Sequence, residues 1–127
     1  MNAIICEDHK ADAARLHRIL ESGGFHVVAT FENGRQMMDW LLKHPNEAEI
    51  VFLDIIMPVL DGYAAFWEIR EHKLNVRVVF VSVENSQSVI ASVLKLGAQS
   101  YITKPFERES VLEHVNKAIK LPLPVWK

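Results

Sequence analysis

The sequence predicts a single α/β domain: an open, five-stranded parallel sheet covered on both faces by five helices. Three observations carry this. Five short apolar runs rich in β-branched residues alternate with five segments of helical periodicity. The connections between them are of ordinary length, which requires parallel strands joined by right-handed crossovers. Five such units are too few to close an eight-stranded barrel, so the sheet has two edges.

The chain has 127 residues, half of them hydrophobic, enough for one core without disulfide staples. Its net charge of -2, with acids and bases interspersed, gives no reason to expect direct nucleic-acid or membrane binding. The lone cysteine, Cys6, has no partner within the chain and suits a reducing compartment. The apolar start, Ala3 to Cys6, is cut short by Glu7 and Asp8, unlike a signal peptide. No run nears the roughly 18 apolar residues of a membrane span. A cytoplasmic location is expected.

The first strand runs from Asn2 to Cys6 and stops at Glu7-Asp8-His9-Lys10. Helical spacing from Ala11 places Ala14, Leu16, Ile19 and Leu20 on one face, with Asp12 in the first turn and Gly23-Gly24 as the stop. Phe25 to Thr30, aromatic and β-branched, is the second strand. Asn33 caps a helix from Gly34 to Lys43 with an apolar face of Met37, Met38, Leu41 and Leu42. Ile50 to Leu53 is the third strand, apolar on both faces as a strand inside a parallel sheet should be. Asp54 follows it, and Met57-Pro58 and Asp61-Gly62 bar any continuation as strand or helix. A helix over Gly62 to Glu71 turns Ala65, Phe66 and Ile69 inward. Val76 to Val81 is the fourth strand, ending at Ser82-Val83-Glu84, and Ser86 to Leu96 is a helix on Val89, Ile90, Val93 and Leu94, closed by Gly97. Ser100 to Thr103 is the fifth strand, followed by Lys104-Pro105. Arg108 to Lys120 is the last helix, on Val111, Leu112, Val115 and Ile119. The domain therefore spans residues 1–120. Residues 121–127, Leu-Pro-Leu-Pro-Val-Trp-Lys, carry two prolines that bar further helix and form a tail or the start of a linker.

Ligands of open α/β sheets gather beyond the carboxyl ends of the strands. There the sequence places Glu7, Asp8, Asp54, Ser82 and Lys104, five polar groups expected to converge. Asp54 alone would serve equally well to open a turn; its company favours a site. Three carboxylates at close range repel one another, and the usual relief is a hard divalent cation or a raised pKa. With few protein oxygens and room for water, Mg²⁺ fits best. A carboxylate nucleophile, a metal, a hydroxyl and an ammonium together make up phosphoryl-transfer chemistry. An ionised carboxylate needs no base to activate it. The mixed anhydride it forms hydrolyses spontaneously, so the product is a transient mark.

In these residues the chain resembles the receiver domains of response regulators in two-component signalling, above all the single-domain chemotaxis type. The likeness extends from Asn2 to Lys120. It rests on Glu7-Asp8, on Asp54-Ile-Ile-Met-Pro-Val-Leu-Asp-Gly62, on Ser82, on Gly97-Ala98, and on Tyr101-Ile-Thr-Lys-Pro-Phe106. It implies a flavodoxin-like three-layer sandwich with strand order 2-1-3-4-5. It implies that Asp54 is the phospho-acceptor, that Asp8, Asp54 and the main-chain carbonyl of Ile56 hold Mg²⁺, and that Glu7 acts through water. Lys104 would pair with the phosphoryl group and Ser82 would hydrogen-bond it. An inward swing of Ser82 would let Tyr101 turn from exposed to buried, and the peptide bond before Pro105 would be cis. The implied partners are a sensor histidine kinase or phosphotransfer domain, and an unknown output partner or domain. That partner would be controlled through the face of the fourth helix, fifth strand and fifth helix, which is also a candidate homodimer surface. Such a domain catalyses its own phosphorylation and dephosphorylation but is consumed as a substrate, so the expectation is a signalling module and not an enzyme.

Two departures bear on rate. Ile56 is apolar where many relatives are polar, and Val83 stands where alanine or glycine is common; both should crowd an attacking water and lengthen the life of the mark. A third bears on assembly: Gln99-Ser100 replaces the paired aspartates usual in receivers joined to winged-helix DNA-binding domains, which weakens the case for that subgroup's charged dimer face. A flavin carrier of the same architecture is disfavoured, since Glu7-Asp8 would repel a flavin phosphate. An aspartate-nucleophile phosphatase usually has a second aspartate two residues on, where Ile56 stands. A phosphorylation-independent interaction module remains open. The six histidines show no ligand spacing. Met37, Met38 and Trp40 are read as helix core and Trp67 as partly exposed. Trp126 either anchors a partner or lies on its own domain.

Overall fold

A computed structural model describes residues 1–126; Lys127, the last residue of the expected tail, lies outside them. Strands and helices alternate as β1 (Asn2–Cys6), α1 (Lys10–Ser22), β2 (His26–Phe31), α2 (Gly34–Lys43), β3 (Ile50–Leu53), α3 (Gly62–Glu71), β4 (Arg77–Ser82), α4 (Gln87–Lys95), β5 (Ser100–Thr103) and α5 (Arg108–Ala118). The strands pair in parallel in the order β2-β1-β3-β4-β5, the flavodoxin-like arrangement expected. All four residues of β3 are buried, because helices cover both sides of this central strand.

The alternation of side chains along each strand splits the core into two halves. Ile4, Cys6, Val51, Leu53, Val78 and Phe80 face α2, α3 and α4, where Met37, Met38, Phe66 and Ile69 meet them. Ala3, Ile5, Ile50, Phe52, Val79 and Val81 face α1 and α5, packing on Leu16, Leu20, Val111 and Val115. Cys6 is wholly buried in the first half, and burial pushes its thiol pKa up, so it is an inert core residue. Trp40 is half-buried against Phe31 at 5.7 Å, and Trp67 is partly exposed, both as read from the sequence.

The helix faces differ from the predicted ones in detail. In α1 the buried alanine is Ala13, which shares a face with Leu16 and Leu20, and Ala14 is exposed; His9 caps the helix by accepting the Asp12 N–H at 3.4 Å and starts it one residue early. Leu42 of α2 and Leu94 of α4 are exposed, not inward. Only Val93 of α4 is fully buried, with Val89 and Ile90 half-buried, so this helix rests on the sheet more lightly than its sequence suggests. The tail does not run free: Trp126 is buried against its own domain. No helix among the described residues is long and apolar enough to cross a membrane.

Candidate functional site

The strand ends do not simply point at the site; the sheet's own ladder is extended into it. The Asp54 N–H donates to the Cys6 carbonyl at 3.0 Å, and the Lys104 N–H donates to the Ser82 carbonyl at 2.9 Å. The Glu7 N–H donates to the Phe31 carbonyl at 2.9 Å. Three residues that the sequence singled out are thus held by backbone bonds one step past β1, β3 and β5. After Asp54 the chain turns sharply, its Oδ1 accepting the Ile56 N–H at 3.3 Å, and the Gly62 N–H closes the turn on the Ile55 carbonyl at 2.8 Å. Asp61 then caps α3 by accepting the Ala64 N–H at 2.8 Å. The Lys104–Pro105 peptide bond is cis, as expected.

These bonds bring the expected residues together. Lys104 Nζ lies 3.0 Å from Asp54 Oδ2, pairs with Glu7 Oε1, and lies 3.1 Å from Asp12 Oδ2. Glu7, Asp8 and Asp54 each bring a carboxylate oxygen within 4.8 Å of the others. Glu7 and Asp54 are buried, whereas Asp8 is exposed and gives the cluster its opening to solvent. Ser82 is fully buried, and its Oγ accepts the Glu84 N–H at 3.3 Å.

The electrostatics follow from crowding. Burial pushes the Glu7 carboxyl up to about 7, against the opposing pull of its bonds to Lys104 and to the His9 N–H. Burial by itself would lower the Lys104 ammonium; its bonds to Glu7, Asp54 and Asp12 outweigh that and hold it above its ordinary value. One fixed cation therefore serves several acids, and the cluster has charge to spare for a second cation. The donor set is all oxygen and carboxylate-rich, which suits a hard divalent ion such as Mg²⁺ and not a soft one. No histidine belongs to a metal-ligand cluster among the described residues.

Three placements refine the expectations. Glu7, expected to act on the metal through water, also makes a direct ion pair with Lys104 that the sequence did not suggest; a buried carboxylate needs an immediate partner. Tyr101 is already buried, its hydroxyl donating to the Glu84 carbonyl at 2.6 Å and its ring stacked on Phe80 at 6.0 Å. Asp12 was read only as a first-turn charge, yet it reaches Lys104. The signal available for it was its position in the first turn of the helix that begins at the site. Ile56 and Val83 rim the site, 57% and 58% exposed.

Comparison with known proteins agrees with this geometry. The family model described as the response regulator receiver domain matches residues 3–116. The chain is 34% identical over 116 residues to the chemotaxis protein CheY of Bacillus subtilis, covering 91% of this chain and 95% of that one. It is 30% identical to the CheY of Treponema pallidum, covering 92% and 81%. Among solved structures, a chain of the CheX–CheY–BeF3–Mg²⁺ complex from Borrelia burgdorferi superposes with a TM-score of 0.90 at 30% identity, covering 96% of this chain and 90% of that one.

Proposed function

Since the chain belongs to the response regulator receiver domain family, the phosphorylatable modules of two-component signalling, we propose that Asp54 is its phospho-acceptor and that a phosphohistidine of a sensor kinase or phosphotransfer domain is the donor. In this reading an Asp54 carboxylate oxygen attacks phosphorus as the N–P bond of the donor breaks. The electron pair of that bond stays on the imidazole nitrogen, and the new bond is an acyl phosphate on Asp54. The observation that supports it best is the convergence of Lys104 on Asp54 at 3.0 Å, from a different strand end.

The other residues take roles set by their chemistry. Lys104 holds an ammonium beside the acceptor, where charge on the transferred oxygens accumulates. Ser82, buried at the end of β4, offers a hydroxyl to one of those oxygens. Asp8, Asp54 and the Ile56 main-chain carbonyl would hold Mg²⁺, with Glu7 and Asp12 as outer acids. When bound, Mg²⁺ supplies charge neutralisation for the phosphoryl oxygens. The chain is altered by the reaction it promotes, so we read it as a signalling module and not an enzyme.

The output face is proposed to be α4, β5 and α5. The light packing of α4, with Leu94 42% exposed, supports a helix free to take a second position. A few kcal/mol of differential interaction with the phosphoryl group would shift such an equilibrium. Its partner would be a separate protein or a linked domain, and the same face would serve a homodimer. Incubation with acetyl phosphate and Mg²⁺, read by intact mass, tests the core of the proposal. One added phosphoryl group that is absent in Asp54→Ala is the expected result; none in the wild-type chain overturns it.

A further inference from the structure

After α5 the chain crosses beneath the starting ends of β4 and β5 to the opposite face of the sheet. Arg77 Nη2 donates to the carbonyls of Ile119 at 3.4 Å and Leu121 at 3.0 Å, and Gln99 Nε2 donates to the Pro122 carbonyl at 2.8 Å. Trp126 then enters a slot between the end of α3 and Gly97. Its indole N–H donates to the Leu74 carbonyl at 2.6 Å, and its ring stands edge-on to Phe66 at 5.9 Å. A Cβ on residue 97 would lie 2.6 Å from Trp126 Cζ3, so the slot exists because that residue is glycine. Trp126 is 8% exposed beside a Val125 that is 85% exposed: the side chain is an anchor on an otherwise outward-facing segment.

From the slot an aromatic column runs through the core. Phe66 meets Phe80 edge-on at 5.3 Å, and Phe80 stacks on Tyr101 at 6.0 Å, whose hydroxyl holds the Glu84 carbonyl just before α4. A second link runs along the surface. The Arg70 guanidinium lies 4.8 Å from the Trp67 ring and 5.9 Å from the Trp126 ring, and its Nε donates to the Leu96 carbonyl at the end of α4 at 2.8 Å. The tail is therefore linked indirectly to the residues flanking both ends of α4, to Glu84 through packed rings and to Leu96 through Arg70.

We propose that the slot is an intrachain binding site for the C-terminal segment, and that seating of the Trp126 indole is coupled to the buried position of Tyr101. A packed interior has discrete arrangements and does not deform smoothly. Withdrawing the indole leaves a void beside Phe66; Phe66 relaxes into it, Phe80 follows, and Tyr101 loses the ring it stacks on. The tail is thus a strap that biases the output face from the far end of the molecule, and whatever pulls on it changes that face. This deepens the reading of Tyr101 as the switch and rests on it.

The test uses the full chain with no phosphoryl donor, so its failure is separate from any failure at Asp54. With 3-fluorotyrosine incorporated, ¹⁹F NMR gives signals for Tyr63 and Tyr101, assigned with Tyr63→Phe. Trp126→Ala is expected to lower the ratio of buried to exposed Tyr101 by at least about five-fold, and Trp126→Leu by less. A folded Trp126→Ala chain with an unchanged Tyr101 signal overturns the coupling and leaves the tail a packing element. Should Trp126→Ala not fold, the reverse arm decides: in Tyr101→Phe, hydrogen exchange at the Trp126 indole N–H accelerates at least about five-fold, and unchanged exchange overturns the proposal.

Discussion

Gly62 lies directly against the main-chain carbonyl of Asp54, so close that a Cβ on residue 62 would overlap that oxygen. Residue 62 opens α3 and residue 54 directly follows β3, so the loop between them is folded back on its own start. Gly62→Ala must push the loop off Asp54. We expect a loss of about 3 kcal/mol in urea unfolding, the upper range for overpacking a tight site, together with slower phosphorylation from acetyl phosphate. A variant with wild-type stability and rate would contradict this.

Lys104 is the cation that makes burial of Glu7 and Asp54 tolerable. Lys104→Met leaves both carboxylates without it and should cost about 3 kcal/mol, since breaking a buried pair strands its partner. Mg²⁺ should restore part of that loss, because a ligand bound only by the folded chain stabilises it. In the wild-type chain Mg²⁺ should raise the melting temperature, EDTA should reverse the gain, and Asp8→Asn should shrink it. Thermal melts with and without Mg²⁺ check all three.

Ile56 and Val83 expose apolar side chains at the rim of the site. If Asp54 carries the phosphoryl group, these side chains crowd the path of an attacking water. The Ile56→Asn, Val83→Ala double variant should lose its phosphoryl group several-fold faster than the wild-type chain, as followed by the decay of the phosphorylated mass. An equal or slower decay would rule out a steric role for the pair.

Val59 has φ of 68° and is 82% exposed, a β-branched residue in the left-handed region with little packing to hold it there. Its strain is local to the loop between β3 and α3. Val59→Asn, which tolerates that conformation, should raise stability by about 1 kcal/mol, seen as a higher urea midpoint at unchanged slope.

The architecture and most of the site were legible because both depend on where strands end. Asp54 follows four buried residues, Lys104 stands at a break before proline, and the crossover rule puts such ends on one edge. What escaped depends on contacts between elements. Asp12 joins the site because α1 begins beside it and turns this first-turn carboxylate toward Lys104, and Ala13, three residues before the buried Leu16, takes the inward place expected of Ala14. Leu94 looked inward because its spacing is helical, yet α4 touches the sheet mainly through Val93. Trp126 was undecided because no periodicity relates a tail to Gly97; only the missing Cβ and the Leu74 carbonyl decide where it goes.

The extension of the sheet's ladder to the amides of Asp54 and Lys104 fixes the lifetime of the site as well as its shape. The Asp54 N–H bridges the central strands β1 and β3 and exchanges with solvent only when they part, whereas the Lys104 N–H ties the edge strand β5 to β4, so the acidic pocket is anchored most firmly on its Asp54 side. A pocket that stiff has no slack with which to answer a change in its own charge. In the proposed reading the response is exported, through Ser82 and Tyr101, to α4, the neighbour with the weakest grip on the sheet.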